Sequence, residues 1–182
     1  MSKRVAVGVV VLALAWAVPA VAQEGKNNDK FITGDVLLGF AGTLLPPDVK
    51  CAGGQPSGLT FPHCTTGTNR ILTRNEVQLW KTDSPSPSVA AFVSSDQIQF
   101  VVNCTLNRAY RGVCWGTFQW DVVGGGRWEG TWTSPVMDLM TYESKMTMVG
   151  FGTGGAIDGK QIKFEGGSEP YDWYIGGKIR IQ

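Results

Sequence analysis

Two carboxylates, Asp138 and Glu143, are the candidate side chains for acid–base chemistry. They flank Met140 and Tyr142 in the sequence. A carboxyl group that points into an apolar cavity loses hydration, which raises its pKa and allows it to act as a general acid. Exposure on the surface or at a rim is the alternative, since carboxylates are rarely buried. Asp138 and Glu143 are therefore candidates, and no residue is assigned as catalytic.

Nucleophilic and metal chemistry are not expected. His63 is the single histidine and lies between Pro62 and Cys64, which disfavours a Ser-His-Asp or Cys-His centre. A metal site formed by His63, Cys51 and Cys64 would need reduced thiols, whereas an exported chain holds disulfides. The glycine-rich stretch 150–155 lacks the Lys-Ser/Thr ending of a phosphate-binding loop. We expect no metal and no cofactor.

The first 22 residues have the composition of a secretory signal. Lys3 and Arg4 precede an apolar run that ends in an Ala-Val-Ala cleavage pattern. We expect a signal peptide at 1–22, a single domain at 23–182, and a secreted or periplasmic protein. The apolar run is shorter than the roughly 20 residues of a membrane span; an uncleaved anchor is the alternative. With 16 Lys and Arg against 15 Asp and Glu, net charge does not favour nucleic-acid binding.

Four cysteines in an exported chain predict two disulfides, with three possible pairings. A turn centred on Ala109 places Cys104 opposite Cys114 in adjacent antiparallel strands. We therefore predict a Cys104–Cys114 bond and, by elimination, a Cys51–Cys64 bond. The second bond would staple a proline- and glycine-rich loop in the N-terminal part of the domain.

An aromatic hairpin about Gly124 to Gly126 determines which side chains face inward. An odd-length loop collects the large rings on one face and the hydroxyls and carboxylates on the other. The predicted register places Phe118 opposite Trp132 and Trp120 opposite Gly130. The apolar face of this region, which either fills the interior or binds a ligand there, comprises Phe100, Phe118, Trp120, Trp128, Trp132, Met146 and Met148.

Turn signals divide the whole domain, the aromatic hairpin included, into about eight strands without a helix beyond the signal. Residues 45–67 are interpreted as an ordered non-strand excursion and residues 89–93 as a short strand. In the second strand, Ile71, Val77 and Leu79 alternate with Arg74, Glu76 and Gln78. The prediction is an all-β, single antiparallel closed barrel of about eight strands with a disulfide-stapled N-terminal loop.

A family resemblance adds to this reading over residues 96–182. The segment 128–133, Trp-Glu-Gly-Thr-Trp-Thr, is followed by a methionine-rich strand and by the glycine-rich segment 150–155 before Asp158-Gly159. This half resembles barrels of the allene oxide cyclase and dirigent type. The resemblance implies an eight-stranded barrel with a hydrophobic cavity, often trimeric or dimeric, whose members cyclise or couple small hydrophobic molecules or have no known chemistry. None of the family's acidic catalytic positions matches a residue here.

Three functional hypotheses follow. The first is an exported non-enzymatic barrel that binds a small hydrophobic molecule or a protein partner, with homo-oligomer formation as a further expectation. The second is a cofactor-free isomerase or cyclase that acts on such a molecule in the cavity. The third is a carbohydrate-binding module in which Trp80, Trp115 or Trp173 lies flat on the surface.

Overall fold

A computed structural model describes residues 31–51, 56–57, 63–64 and 71–182, with side chains described for 31–51 and 71–182. The predicted signal peptide lies outside the described residues.

The described chain is all-β apart from one short α-helix and one 3₁₀ turn, which confirms the predicted class. Its eleven strands are β1 (Ile32–Leu45), β2 (Asp48–Cys51), β3 (Pro56–Ser57), β4 (His63–Cys64), β5 (Ile71–Thr82), β6 (Ile98–Leu106), β7 (Arg111–Asp121), β8 (Arg127–Asp138), β9 (Ser144–Thr153), β10 (Gln161–Ser168) and β11 (Tyr174–Ile181).

Nine of these strands form one antiparallel sheet in the order β1-β11-β10-β9-β8-β7-β6-β5-β2. A further pairing of β1 with β5 closes a ring through eight strands, with β2 outside it. The remaining two strands, β3 and β4, pair with each other. The predicted antiparallel arrangement and the number of strands in the ring are confirmed.

Two parts of the prediction are wrong. The stretch 45–67, expected to be a non-strand excursion, contains β2, which pairs with β5 from Asp48↔Arg74 to Cys51↔Ile71, and the paired two-residue strands β3 and β4. The segment expected to hold a short strand instead contains the helix α1 (Ala90–Val93). Its apolar composition fits either state, because a short buried run has no period that separates strand from helix.

The described disulfide joins Cys104 of β6 to Cys114 of β7, with a Cα–Cα distance of 4.1 Å. The predicted pairing is confirmed, although this bond lies within the sheet and not in an N-terminal loop. Cys51 is also disulfide-bonded. Its predicted partner, Cys64, lies outside the residues whose side chains are described.

In the β7–β8 hairpin, the residues predicted to face inward do so, but the predicted cross-strand partners were wrong by two residues. Trp132 stands opposite Gly116, and Phe118 stands opposite Gly130. The loop spans the five residues between Asp121 and Arg127. Within it, the Val122 N–H donates to the Gly126 carbonyl at 3.0 Å. An odd loop of three or of five residues gives the same inward face, so Phe118 and Trp132 both lie in the core.

One end of the ring is filled. The indole N–H of Trp120 donates to the Val93 carbonyl at 3.0 Å, and that of Trp128 donates to the Phe92 carbonyl at 2.8 Å. These bonds satisfy two carbonyls at the C-terminal end of α1, where the last carbonyls of a helix have no partner within the helix. The helix thereby packs over the ring end, where Val93 is fully buried.

No helix among the described residues is long and apolar enough to cross a membrane.

Candidate functional site

The other half of the ring contains a cavity of about 600 Å³, lined by residues from all eight ring strands and from β2. Its wall is mainly apolar, with Val102, Leu106, Met146 and Ile175 among its residues. The ring is therefore packed solid at the α1 end and hollow toward the opposite loops.

Four aromatic rings form the floor of this cavity. Phe100 lies at its centre and meets Trp132 edge-on at 5.9 Å and Trp80 edge-on at 6.1 Å between ring centroids. Trp80 in turn meets Phe40 at 5.4 Å. Phe118, 6.1 Å from Phe100, lies in the filled half. These edge-to-face contacts fix the ring orientations and separate the packed half from the hollow half.

A β-bulge in β5 turns polar side chains toward the cavity. Before the bulge, Ile71 and Thr73 face inward, and after it Glu76 and Gln78 do so. The register of β5 against β6 shifts between Thr73 and Glu76, where Asn75 adopts a left-handed conformation with φ of 56°. The extra residue reverses the alternation, so the inward positions change from odd to even numbers.

The reversed alternation creates a chain of hydrogen bonds along the cavity wall. The Trp80 indole N–H donates to Gln78 Oε1 at 3.1 Å. Gln78 Nε2 donates to Glu76 Oε1 at 3.0 Å. Burial raises the pKa of Glu76, and the Gln78 bond offsets this only in part. Glu76 is thus a carboxyl group with an elevated pKa in an apolar cavity, the environment that favours acid–base or ligand-binding roles.

Thr73 adds a second polar group to the same wall. This residue is 6% exposed, and its hydroxyl oxygen has no hydrogen-bond partner within the described part of the chain. Such orphaned buried hydroxyls are rare because each costs about 1–3 kcal/mol. A ligand in the cavity could supply the missing partner.

Three tyrosine-bearing loops form the mouth of the cavity. Tyr110, Tyr142 and Tyr171 lie in the β6–β7, β8–β9 and β10–β11 connections, with φ of 59°, 63° and 66°. A positive φ is uncommon for bulky residues and occurs often at binding sites. The loops are joined in series, since the Leu139 N–H donates to the Tyr110 carbonyl at 3.1 Å and the Tyr171 N–H donates to the Thr141 carbonyl.

Trp173 also stands at this mouth. Its ring stacks on that of Tyr142, with centroids 4.3 Å apart, while the residue remains 56% exposed. The stacked pair connects the β8–β9 loop to the β10–β11 loop at the cavity entrance.

The predicted apolar site residues divide between the two halves of the ring. Phe100, Trp132 and Met146 line the cavity. The others are buried without lining it: Phe118, Trp120, Trp128 and Met148.

The candidate carboxylates lie elsewhere. Asp138 is 3% exposed and pairs with Arg111, whose Nε lies 2.5 Å from Oδ2. Burial raises the pKa of Asp138, but bonds from Arg111 and from the Met140 and Thr141 N–H groups outweigh it and lower the pKa below its usual value. Glu143 is exposed between β8 and β9. Neither residue lines the cavity.

The three candidate sugar-binding tryptophans do not form one exposed aromatic strip. Trp80 is part of the cavity floor and Trp173 lies at the mouth. Trp115 is half-buried and is covered by the Arg74 guanidinium, 4.8 Å from its ring centroid.

Sequence reasoning missed Thr73, Glu76 and Gln78 as site residues. Simple alternation placed Val77 and Leu79 on one face together with Ile71, whereas the bulge reverses the second half of β5. The available signal was Asn75, a residue type depleted in strands and tolerant of the left-handed conformation.

No protein-family model, curated protein or solved structure matches this chain.

Proposed function

We propose that this protein is an exported, non-enzymatic binding protein in which the strand ring is a barrel that holds a small hydrophobic molecule in its open half. The observation that carries the proposal is the cavity of about 600 Å³ with a mainly apolar wall. Small-molecule sites commonly measure about 300–1,000 Å³ and combine an apolar lining with a few polar groups that orient the ligand. Here those polar groups are Thr73, Glu76 and Gln78.

The division of the ring supports a binding role over simple packing. The filled half, built around Phe118, Trp120 and Trp128, supplies a rigid core. Because this core stabilises the ring, side chains do not have to fill the other half. Eight-stranded rings have room either for side chains or for one small ligand. The aromatic floor is then a preformed surface on which an apolar ligand can pack.

Export is part of the same proposal. Disulfides form and persist in oxidising compartments, and Cys104–Cys114 is such a bond. A secreted or periplasmic carrier also has access to molecules released by other cells.

Binding of N-phenyl-1-naphthylamine, a neutral apolar dye that brightens in apolar surroundings, tests the proposal. Val102 lines the cavity, so Val102→Phe should fill part of it and weaken dye binding about tenfold. Val113 is exposed on β7, so Val113→Phe is the matched control and should leave binding unchanged. Equal binding by both variants and the parent protein would contradict a cavity site.

The cavity also favours one catalytic alternative, a cofactor-free isomerase or cyclase with Glu76 as its general acid. A general acid works best when its pKa lies near the operating pH, and burial raises the pKa of Glu76. Carboxyl-¹³C NMR should show Glu76 titrating above the other glutamates. Titration in the ordinary range would remove this alternative and leave the binding role.

A further inference from the structure

The charges of the cavity are all of one sign. Among the residues whose side chains the structure describes, its lining includes two carboxylic acids, Glu76 and Asp172, and no lysine, arginine or histidine. Asp172 lies in the β10–β11 connection and is exposed, whereas Glu76 lies deeper along β5. A cavity of this kind opposes the entry of an anion and favours a ligand that carries positive charge.

The hydrogen-bonding groups on β5 are arranged to receive donors. The chain from Trp80 through Gln78 ends at Glu76 Oε1, so the Glu76 carboxylate is the final acceptor of the chain. Thr73 Oγ1, which is buried and has no partner among the residues that the structure describes, lies on the same wall. An ammonium group has three donors and no acceptor, so it matches a wall that offers acceptors.

The aromatic floor supplies a further favourable contact for a cation. Trp80, Phe100 and Trp132 line the same cavity. Cations are attracted to the faces of such rings, most strongly to tryptophan. The apolar body of a ligand would pack on the same rings, so one molecule could use both features.

We propose that the cavity binds a hydrophobic amine, with its protonated nitrogen donating to the Glu76 carboxylate and to Thr73 Oγ1 and its apolar body lying on the aromatic floor. This inference rests on the proposed binding function and narrows the ligand to an organic cation.

Three probes that share one apolar body test the inference: 2-naphthylmethylamine, 2-naphthylmethanol and 2-naphthoate. They present a cation, a neutral hydroxyl and an anion, respectively. Calorimetric titration of the purified protein at neutral pH should show the amine binding about tenfold tighter than the alcohol, as expected for a hydrogen bond to a charged group. The naphthoate should bind most weakly.

Two variants test whether Glu76 and Thr73 cause the preference for the amine over the alcohol. Glu76→Gln should reduce the amine's advantage over the alcohol to about twofold or less, because an amide keeps the shape of the side chain but carries no charge. Thr73→Val should weaken binding of the amine, but by less than Glu76→Gln does. Glu129→Gln removes an exposed carboxylate from the outer face and should leave the preference intact.

The outcomes separate this inference from the function on which it rests. Equal binding of amine and alcohol, tighter binding of the naphthoate, or an amine preference that survives Glu76→Gln would overturn the inference while keeping a hydrophobic cavity site. Failure of all three probes and of the neutral dye would overturn the binding function itself.

Discussion

The backbone N–H of Asn75 donates to Oδ1 of Asn103 at 3.2 Å. This bond joins the bulge in β5 to the neighbouring strand β6 and holds Asn75 in its left-handed conformation. Because the bulge determines that Glu76 and Gln78 face inward, the polar wall of the cavity depends on this single irregular position.

Replacement of Asn75 should therefore separate backbone conformation from side-chain chemistry. Asn75→Gly should be nearly neutral, since glycine adopts a positive φ readily. Asn75→Val should cost about 1–3 kcal/mol in the free energy of unfolding, because a β-branched residue is strained at φ of 56°. Urea denaturation measures both values, and equal stability of the two variants would contradict the bulge's conformational requirement.

At Gly116, β7 lies so close to its neighbours that a larger residue should destabilise the protein by steric clash. A Cβ atom on Gly116 would lie 1.7 Å from the Val101 carbonyl oxygen and 2.9 Å from Trp132 Nε1. Gly116→Ala should therefore destabilise the protein by about 1–3 kcal/mol through overpacking.

Gly176 of β11 is the matched control, because its nearest neighbour would be a Leu37 methyl at 3.5 Å, an ordinary contact. Gly176→Ala should cost little in thermal or urea unfolding. A loss as large as that of Gly116→Ala would show that general strand flexibility, and not contact with Trp132 and Val101, accounts for both effects.

Asp138 should stabilise the fold in a pH-dependent way. Its pKa is lowered in the folded protein because the Arg111 bond and two backbone N–H groups outweigh burial. The unfolded state then binds the proton more readily, so the stabilisation is present above the unfolded pKa of about 3.9 and is lost as the pH falls through the lower folded pKa.

Asp138→Asn should consequently be less stable than the parent protein at neutral pH, and the difference should shrink in acid. The expected loss is about 1–3 kcal/mol at neutral pH, the cost of an impaired charged hydrogen bond. Unfolding free energies at a series of pH values measure this difference. A difference that stays constant from neutral to acid pH would argue against a role for the ionised carboxylate.

Glu76 should show the opposite dependence. Burial raises the pKa of this residue in the folded protein, so folding is opposed by the charged form. Stability should decrease as the pH rises from the unfolded pKa through the raised folded value. Glu76→Gln should remove this decrease and be the more stable protein at pH above that range. Parallel stability profiles for the two proteins would contradict a desolvated carboxyl at this site.

The hydrogen bonds from the Trp120 and Trp128 indoles to α1 should stabilise the filled end of the ring locally. Trp120→Phe removes one of the two donors to the Val93 carbonyl, which also accepts from Thr82 Oγ1 at 2.7 Å. The loss should cost about 0.5–1.5 kcal/mol, the net contribution of one hydrogen bond. Hydrogen exchange should become faster in α1 before it does in β9 and β10. Uniform acceleration across the sheet would indicate that Trp120 acts through bulk packing alone.

The sequence predicted those parts of the fold that depend on strand alternation. Cys104 and Cys114 pair as expected, and Phe100 faces Phe118. The alternation of inward and outward residues was enough to predict these pairs, because the β6–β7 pairing has no register shift. The β7–β8 register differed by two residues because three glycines with positive φ allow several odd loops.

The candidate site was harder to predict for a physical reason. One residue, Asn75, reverses the inward face of β5, and no pattern of hydrophobicity marks the reversal since Val77 and Leu79 remain apolar on the outer face. Asp138 was a candidate because it neighbours apolar residues in sequence, but its partner Arg111 is 27 positions away. Long-range pairing of this kind is not visible in local spacing.

Methionine-methyl NMR can show whether a ligand lies inside the ring. Met137 and Met146 line the cavity, while Met140 is exposed outside it. With methyl-¹³C-methionine protein and a bound naphthyl probe, we expect shifts and intermolecular NOEs at Met146 and Met137 and none at Met140. Contacts at Met140 alone, or saturable binding that leaves Met146 unperturbed, would contradict a ligand site inside the ring.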